Sequence, residues 1–173
     1  MRSLAAALGL AMCSQATAEP VRIGVDLGAT AVQKAASHAP IVTPGLHVDI
    51  PLRPRLSLGF QTTIGRFGES NPGGDQVTTP VRLSATVDGR VLRQTLGVYG
   101  GIGPALRVLP TRVTSDGGAF SGTRLRPGLR VRTGVSGDFG GRWQWGVGVG
   151  AVADTVGVDW DSLVSVSFAL GRS

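Results

Sequence analysis

The chain is short of several residue types that soluble proteins use freely. Of its 17 basic residues one is lysine, Lys34, and of its 11 acids two are glutamate, Glu19 and Glu69. Exposed helices and wetted surfaces are usually built from Lys and Glu, so a helical cytosolic protein is disfavoured. Charged residues make up 16% of the chain, against ~25% in an ordinary globular domain. Cys13 is the single cysteine, which excludes an intramolecular disulfide and a multi-cysteine metal site. His38 and His47 are the two histidines and lie apart in sequence, so no metal site is expected, and no cofactor either. Beyond the first residues there is no apolar run long enough for a helical membrane span.

The start of the chain reads as an export signal. Met1-Arg2 is a minimal basic beginning, Leu4 to Met12 is uncharged and apolar, and Ala16-Thr17-Ala18 has the small-x-small pattern of a cleavage site. Cleavage is expected after Ala18, leaving residues 19–173 as one domain. Leu10-Ala11-Met12 before Cys13 resembles a lipoprotein box but carries Met at its last position, so Cys13 reads as an incidental signal residue.

What the chain has in plenty is glycine, 27 residues, together with 10 prolines and a period-two alternation. In the first run Val21, Ile23, Val25, Leu27 and Ala29 alternate with Arg22, Gly24, Asp26, Gly28 and Thr30. Such alternation marks strands with two unlike faces. Seven more runs follow, beginning near Leu46, Leu56, Val81, Leu92, Leu129, Trp143 and Val164. Short connections are expected at Arg53-Pro54, at Asp88-Gly89-Arg90 as a tight hairpin turn, and at Ser136 to Gly141. The other connections, residues 34–43, 65–76, 104–124 and 154–161, are longer and rich in turn formers.

Long and short connections alternate, as an even-stranded barrel in an outer membrane requires. The expectation is an all-β fold: an eight-stranded antiparallel up-and-down transmembrane β-barrel. In topology and pattern the chain resembles the small OmpA/OmpX-type outer-membrane barrels. That resemblance implies the outer membrane of a Gram-negative bacterium, termini in the periplasm, long loops outside, and contact with outer-membrane lipid and the barrel-assembly machinery. The chain departs from the family's usual terminal aromatic residue, because Phe168 is followed by Ala169-Leu170-Gly171-Arg172-Ser173.

The polar face carries about a dozen glycines, among them Gly24, Gly59, Gly134 and Gly148. Glycine weakens a solvated strand but suits the inner wall of a narrow barrel. The apolar face is therefore expected to meet lipid. Asp26 and Asp49 are expected to pair in the lumen with Arg82, Arg130 and Arg132, since an unpaired ion there costs several kcal/mol. Trp143, Trp145 and Phe168 are expected at the periplasmic interface and Trp160 near the outer one, although the two tryptophans of the seventh run could equally be packing residues.

Three local patterns point elsewhere and are set aside. Arg22 to Thr30 resembles the first phosphate loop of the sugar-kinase and actin superfamily, but that fold needs a much longer chain. His47 and Asp49 suggest a hydrolase pair but lack the local pattern of lipid-modifying barrel enzymes. The basic residues are dispersed, with no cluster for nucleic acid. The function expected is therefore non-enzymatic, a structural or surface-interaction monomer meeting an unidentified ligand through its four long loops. Phe67 and Phe120 are exposed candidates for such contact. Alternatives are a narrow anion-preferring pore, a lipid-modifying enzyme, or a soluble secreted barrel.

Overall fold

The computed structural model describes residues 19–33, 38–72, 74–93 and 96–170. The expected signal segment, Cys13, Lys34 and the last three residues lie outside them. The described residues form ten strands: β1 Val21–Gln33, β2 His38–Arg53, β3 Leu56–Ile64, β4 Phe67–Asn71, β5 Gly74–Thr78, β6 Val81–Arg93, β7 Leu96–Ser115, β8 Gly118–Asp138, β9 Trp143–Asp154 and β10 Val158–Leu170. All pairings are antiparallel. Eight of the strands close a ring in the order β3-β6-β7-β8-β9-β10-β1-β2 and back to β3.

The two extra strands are continuations of ring strands. Ile64 pairs with Val81 at the outer end of β3 and β6, and Phe67 pairs with Thr78 at the start of β4 and β5. Three residues forward on one strand match three back on the other, so the register is unbroken. β5 and β6 also share one register against β7, with Thr78 opposite Thr111 and Val81 opposite Val108. The break comes at Thr79-Pro80, because proline cannot donate to the ladder. Gly65 and Thr79 bridge it by donating to the carbonyls of Pro80 and Pro110 at 2.9 and 3.0 Å.

Two expectations about connections change. Asp88-Gly89-Arg90 is not a turn: β6 runs through it, and Asp88 pairs with Gly101. The hairpin closes between Arg93 and Leu96. The turn-like tripeptide misleads because its side chains serve the lumen. The expected long loops are also largely strand. Residues 104–124 form most of a β7–β8 hairpin reaching to Ser115 and Gly118, and 65–76 supply β4 and part of β5. Residues 38–43 belong to β2; of 154–161, Asp154 ends β9 and Val158 to Asp161 begin β10, which leaves residues 155–157 as the reversal.

The barrel is therefore uneven in height. From Gly118 to Pro127, β8 pairs with β7 alone, and it meets β9 only from Gly128. β4, β5 and the outer parts of β7 and β8 thus stand above the ring as a four-stranded wall.

The packing is inside-out relative to a soluble protein. Ile23, Val25, Leu27, Phe60, Val131, Val147 and Val164 are exposed on the outer face, with Leu27 as much as 60% open. Asp26, His47, Gln61, Arg82, Asp88, Arg130 and Asp161 are buried inside, with Arg130 only 1% open. A wall of large apolar residues around a polar centre suits a surrounding of hydrocarbon. Ring closure pairs the backbone groups that a bilayer could not. The last strand keeps register to its end, with Ile23 opposite Phe168 and Val21 opposite Leu170.

Candidate functional site

The lumen is filled by side chains whose space comes from the glycines opposite them. A Cβ on Gly59 would lie 2.6 Å from the Asp88 carboxylate, and one on Gly134 2.6 Å from the Tyr99 hydroxyl. At that density every charge needs a partner.

The partners form successive groups along the barrel axis, two of them linked by His47, whose Nε2 lies 3.9 Å from Asp49. Near the termini Arg22 lies 3.8 Å from Asp138, and Arg90 donates to Gln144 at 3.1 Å. Above them the Arg132 guanidinium grips Asp88 with two bonds, Nε to Oδ1 at 2.7 Å and Nη2 to Oδ2 at 2.6 Å. This fork geometry is the strong form of the pair. The same Nη2 reaches Asp49 at 3.3 Å, and the guanidinium lies 5.9 Å from the centre of the Tyr99 ring.

Asp26 is held differently. His47 Nδ1 is 2.7 Å from its Oδ1, and Gln61 donates to its Oδ2 at 2.5 Å. Further out, one oxygen of Asp161 accepts from both Arg82 at 2.5 Å and Arg130 at 2.9 Å. Arg130 also reaches Ser84 at 3.4 Å. The outermost group is Arg107 between Asp154 and Asp159.

Of the pairs expected from sequence, the structure brings together Asp49 and Arg132. Asp26 pairs with His47 rather than with an arginine, because His47 sits beside it across β1 and β2. Arg82 and Arg130 turn to Asp161. The carboxylates overlooked were Asp88, Asp154, Asp159 and Asp161, together with Arg107, all assigned to turns or loops. A signal was present: Asp159 and Asp161 continue the parity of Ser165 and Ser167, and Asp154 that of Gly146, Gly148 and Gly150.

His47 is buried and its Nδ1 is committed to Asp26. Among the described residues no hydroxyl is hydrogen-bonded to it, so the parts of a nucleophile–base pair are not assembled. Between Asp26, Asp49, Asp88 and Arg132 the free space is about 40 Å³, room for a few waters and nothing larger.

Above the Arg107 group the lumen widens into a cup of about 710 Å³. Its floor holds Arg82, Arg107 and Asp159, and threonines such as Thr30, Thr43, Thr63 and Thr78 line its lower wall. Phe67, Leu109, Val113 and Phe120 line the part formed by the four-stranded wall. Phe67 and Phe120 thus line the cup rather than the outer surface.

Aromatic residues gather at the end bearing the termini. Trp143 meets Phe168 edge-on at 5.0 Å and stacks with Phe139 at 6.5 Å, and Arg142 lies 6.0 Å from the centre of the Phe168 ring. Trp145 lies against Gly137 on the neighbouring strand. Trp160 is exposed near the opposite end, beside Ala31 and Ala151.

No family model matches the chain, and no curated protein matches it. Solved structures do. The Neisserial surface protein A matches with a TM-score of 0.65 at 15% identity, over 90% of this chain and 100% of that one. Ail, the attachment invasion locus protein of Yersinia pestis, solved with the heparin analogue sucrose octasulfate, matches with a TM-score of 0.63 at 11% identity, over 87% and 96%. The N-terminal β-barrel domain of Pseudomonas aeruginosa OprF matches with a TM-score of 0.61 at 11% identity, over 85% and 96%. At such identities the likeness is one of fold, and the fold is that of the small eight-stranded, OmpA/OmpX-type transmembrane β-barrels.

Proposed function

We propose that this chain is an exported outer-membrane protein that works by contact at its outer rim, without enzymatic activity and without a conducting lumen. Residues 1–18 would direct export and be cleaved after Ala18. The end with the termini and the Trp143–Phe168 cluster would face the periplasm, and the tall wall would face outside.

The observation that carries this reading is the stack of paired charges. Arg132 with Asp88 and Asp49, Arg82 and Arg130 with Asp161, and Arg107 with Asp154 and Asp159 succeed one another along the axis. An ion passing through would have to displace each group in turn, and each is desolvated, so breaking it costs several kcal/mol. A closed lumen leaves the rim as the working surface. The rim is also where this chain spends extra residues, in β4, β5 and the long β7–β8 hairpin.

The test combines two measurements on the refolded full-length mature protein. It should show heat-dependent gel mobility and fractionate with outer membranes. In planar bilayers it should give no resolvable channel. Steady single-channel steps with anion preference would overturn the closed-lumen reading in favour of the pore. Recovery in the soluble periplasmic or secreted fraction would overturn the membrane reading.

A further inference from the structure

Arg82 on β6, Arg107 on β7 and Arg126 on β8 stand directly opposite one another in a row across three strands. Like charges placed so oppose folding unless something compensates them. Asp161 compensates Arg82, and Asp154 and Asp159 compensate Arg107. Among the described residues Arg126 has no carboxylate partner, nor does Arg124 one inward position further out. Both line the cup. The other carboxylates of the cup wall are engaged: Asp159 with Arg107, and Glu69 in a contact of its own.

A second feature lies just above this row. Along the body of the barrel the outer face is apolar and the inner face polar. Beyond Ile64, Val81, Val108 and Leu125 the outer face becomes polar, with Arg66, Asp75, Arg112, Thr114, Ser121 and Thr123. At the same height the inner face gains Phe67, Leu109, Val113 and Phe120. The polar outer face is what a wall standing in water needs. These apolar residues on the inner face are not required by water, and Phe120 is left 67% open.

We infer that the cup binds an amphipathic organic anion: a free molecule with one carboxylate or sulfate head and an apolar chain. The head sits against Arg124 and Arg126, whose guanidiniums present forked donors to an oxyanion. The chain lies along Phe67, Leu109, Val113 and Phe120. The cup volume is in the range of roughly 300–1,000 Å³ found for small-molecule sites. This inference rests on the outer-rim reading above, but the two fail separately, since bilayer silence does not depend on any ligand.

The probe is octanoate labelled with ¹³C at its carboxyl, titrated into the protein in zwitterionic nanodiscs with empty discs subtracted. Saturable one-to-one binding is expected. Arg124→Gln with Arg126→Gln should weaken it at least about tenfold, and Phe120→Ser should weaken it several-fold. Arg124→Lys with Arg126→Lys should restore part of the affinity. Heat-dependent gel mobility checks that each variant is folded. Equal binding of octanol, or of inorganic sulfate, would overturn the proposal, as the site would then read one half of the ligand only. A heparin oligosaccharide that binds through the arginines regardless of Phe120 would overturn it in favour of a polyanion surface. Loss of binding when the discs contain phosphatidylglycerol would place a membrane lipid in the cup and overturn the free-ligand reading. Absence of any saturable binding would overturn it outright.

Discussion

Arg107 and Arg126 face each other across β7 and β8, yet among the described residues only Arg107 of the two is gripped by carboxylates. The two positions should therefore respond unequally to loss of charge. Arg107→Gln strands the buried Asp154 and Asp159 side chains and should cost about 3–5 kcal/mol. Arg126→Gln removes a like charge from the row and should change stability by no more than about 0.5 kcal/mol, or raise it slightly. Urea titrations in lipid, followed by the fluorescence of the three tryptophans, would measure both. Equal losses would contradict the ion-pair assignment.

Asp161 serves two arginines through one oxygen. Asp161→Asn should destabilise by about 3–5 kcal/mol because it leaves Arg82 and Arg130 together without a counter-charge. Adding Arg130→Gln should recover part of that loss. A double-mutant cycle should give a coupling of about 1–3 kcal/mol. A coupling near zero would mean that the two side chains do not meet.

Gly24 gives its space to His47. A Cβ there would lie 2.6 Å from His47 Nε2 and 2.5 Å from the Val166 carbonyl oxygen. Gly24→Ala should cost about 1–3 kcal/mol through overpacking. In a His47→Ala background the penalty should shrink but not vanish, because the backbone oxygen remains. An unchanged penalty in the two backgrounds would show that the ring is not the obstacle.

The outer face separates a membrane barrel from a soluble one with a single substitution. Val164 is exposed midway along β10. In lipid, Val164→Arg should cost about 2–4 kcal/mol, since this position faces the bilayer interior. On a water-soluble barrel the same exposed change would fall within about 0.5 kcal/mol. Refolding titrations in vesicles decide between them.

Much of the barrel was legible in the sequence because strand parity is strict. The alternation from Val21 to Ala31 places Asp26 inside and Leu27 outside without reference to any other strand. The inner-wall glycines follow from the same parity. The turn at residues 88–90 was misread because Asp-Gly is a local signal of hairpins, and local signals yield when flanking residues pair in register. The long segments read as loops because Gly, Ser, Asn, Asp and Pro are common in them. Their parity nevertheless continues through Arg107, Leu109, Thr111 and Val113.

Which charges pair could not be read from one strand at a time. Parity says that Asp26, Asp161, Arg82 and Arg130 point inward, but their heights depend on the register between strands and on the tilt of the barrel. That geometry set His47 beside Asp26 and brought Asp161, from the far end of the chain, to Arg82 and Arg130. The cup has the same origin. Its apolar residues come from β4, β7 and β8, and Arg126, without a carboxylate partner among the described residues, stands beside the paired Arg107 only because three strands align. Sequence by itself determined the period, the inward and outward faces and the number of crossings, because these are properties of single strands. The tertiary structure decided the partners, since a partner is defined by distance across the lumen.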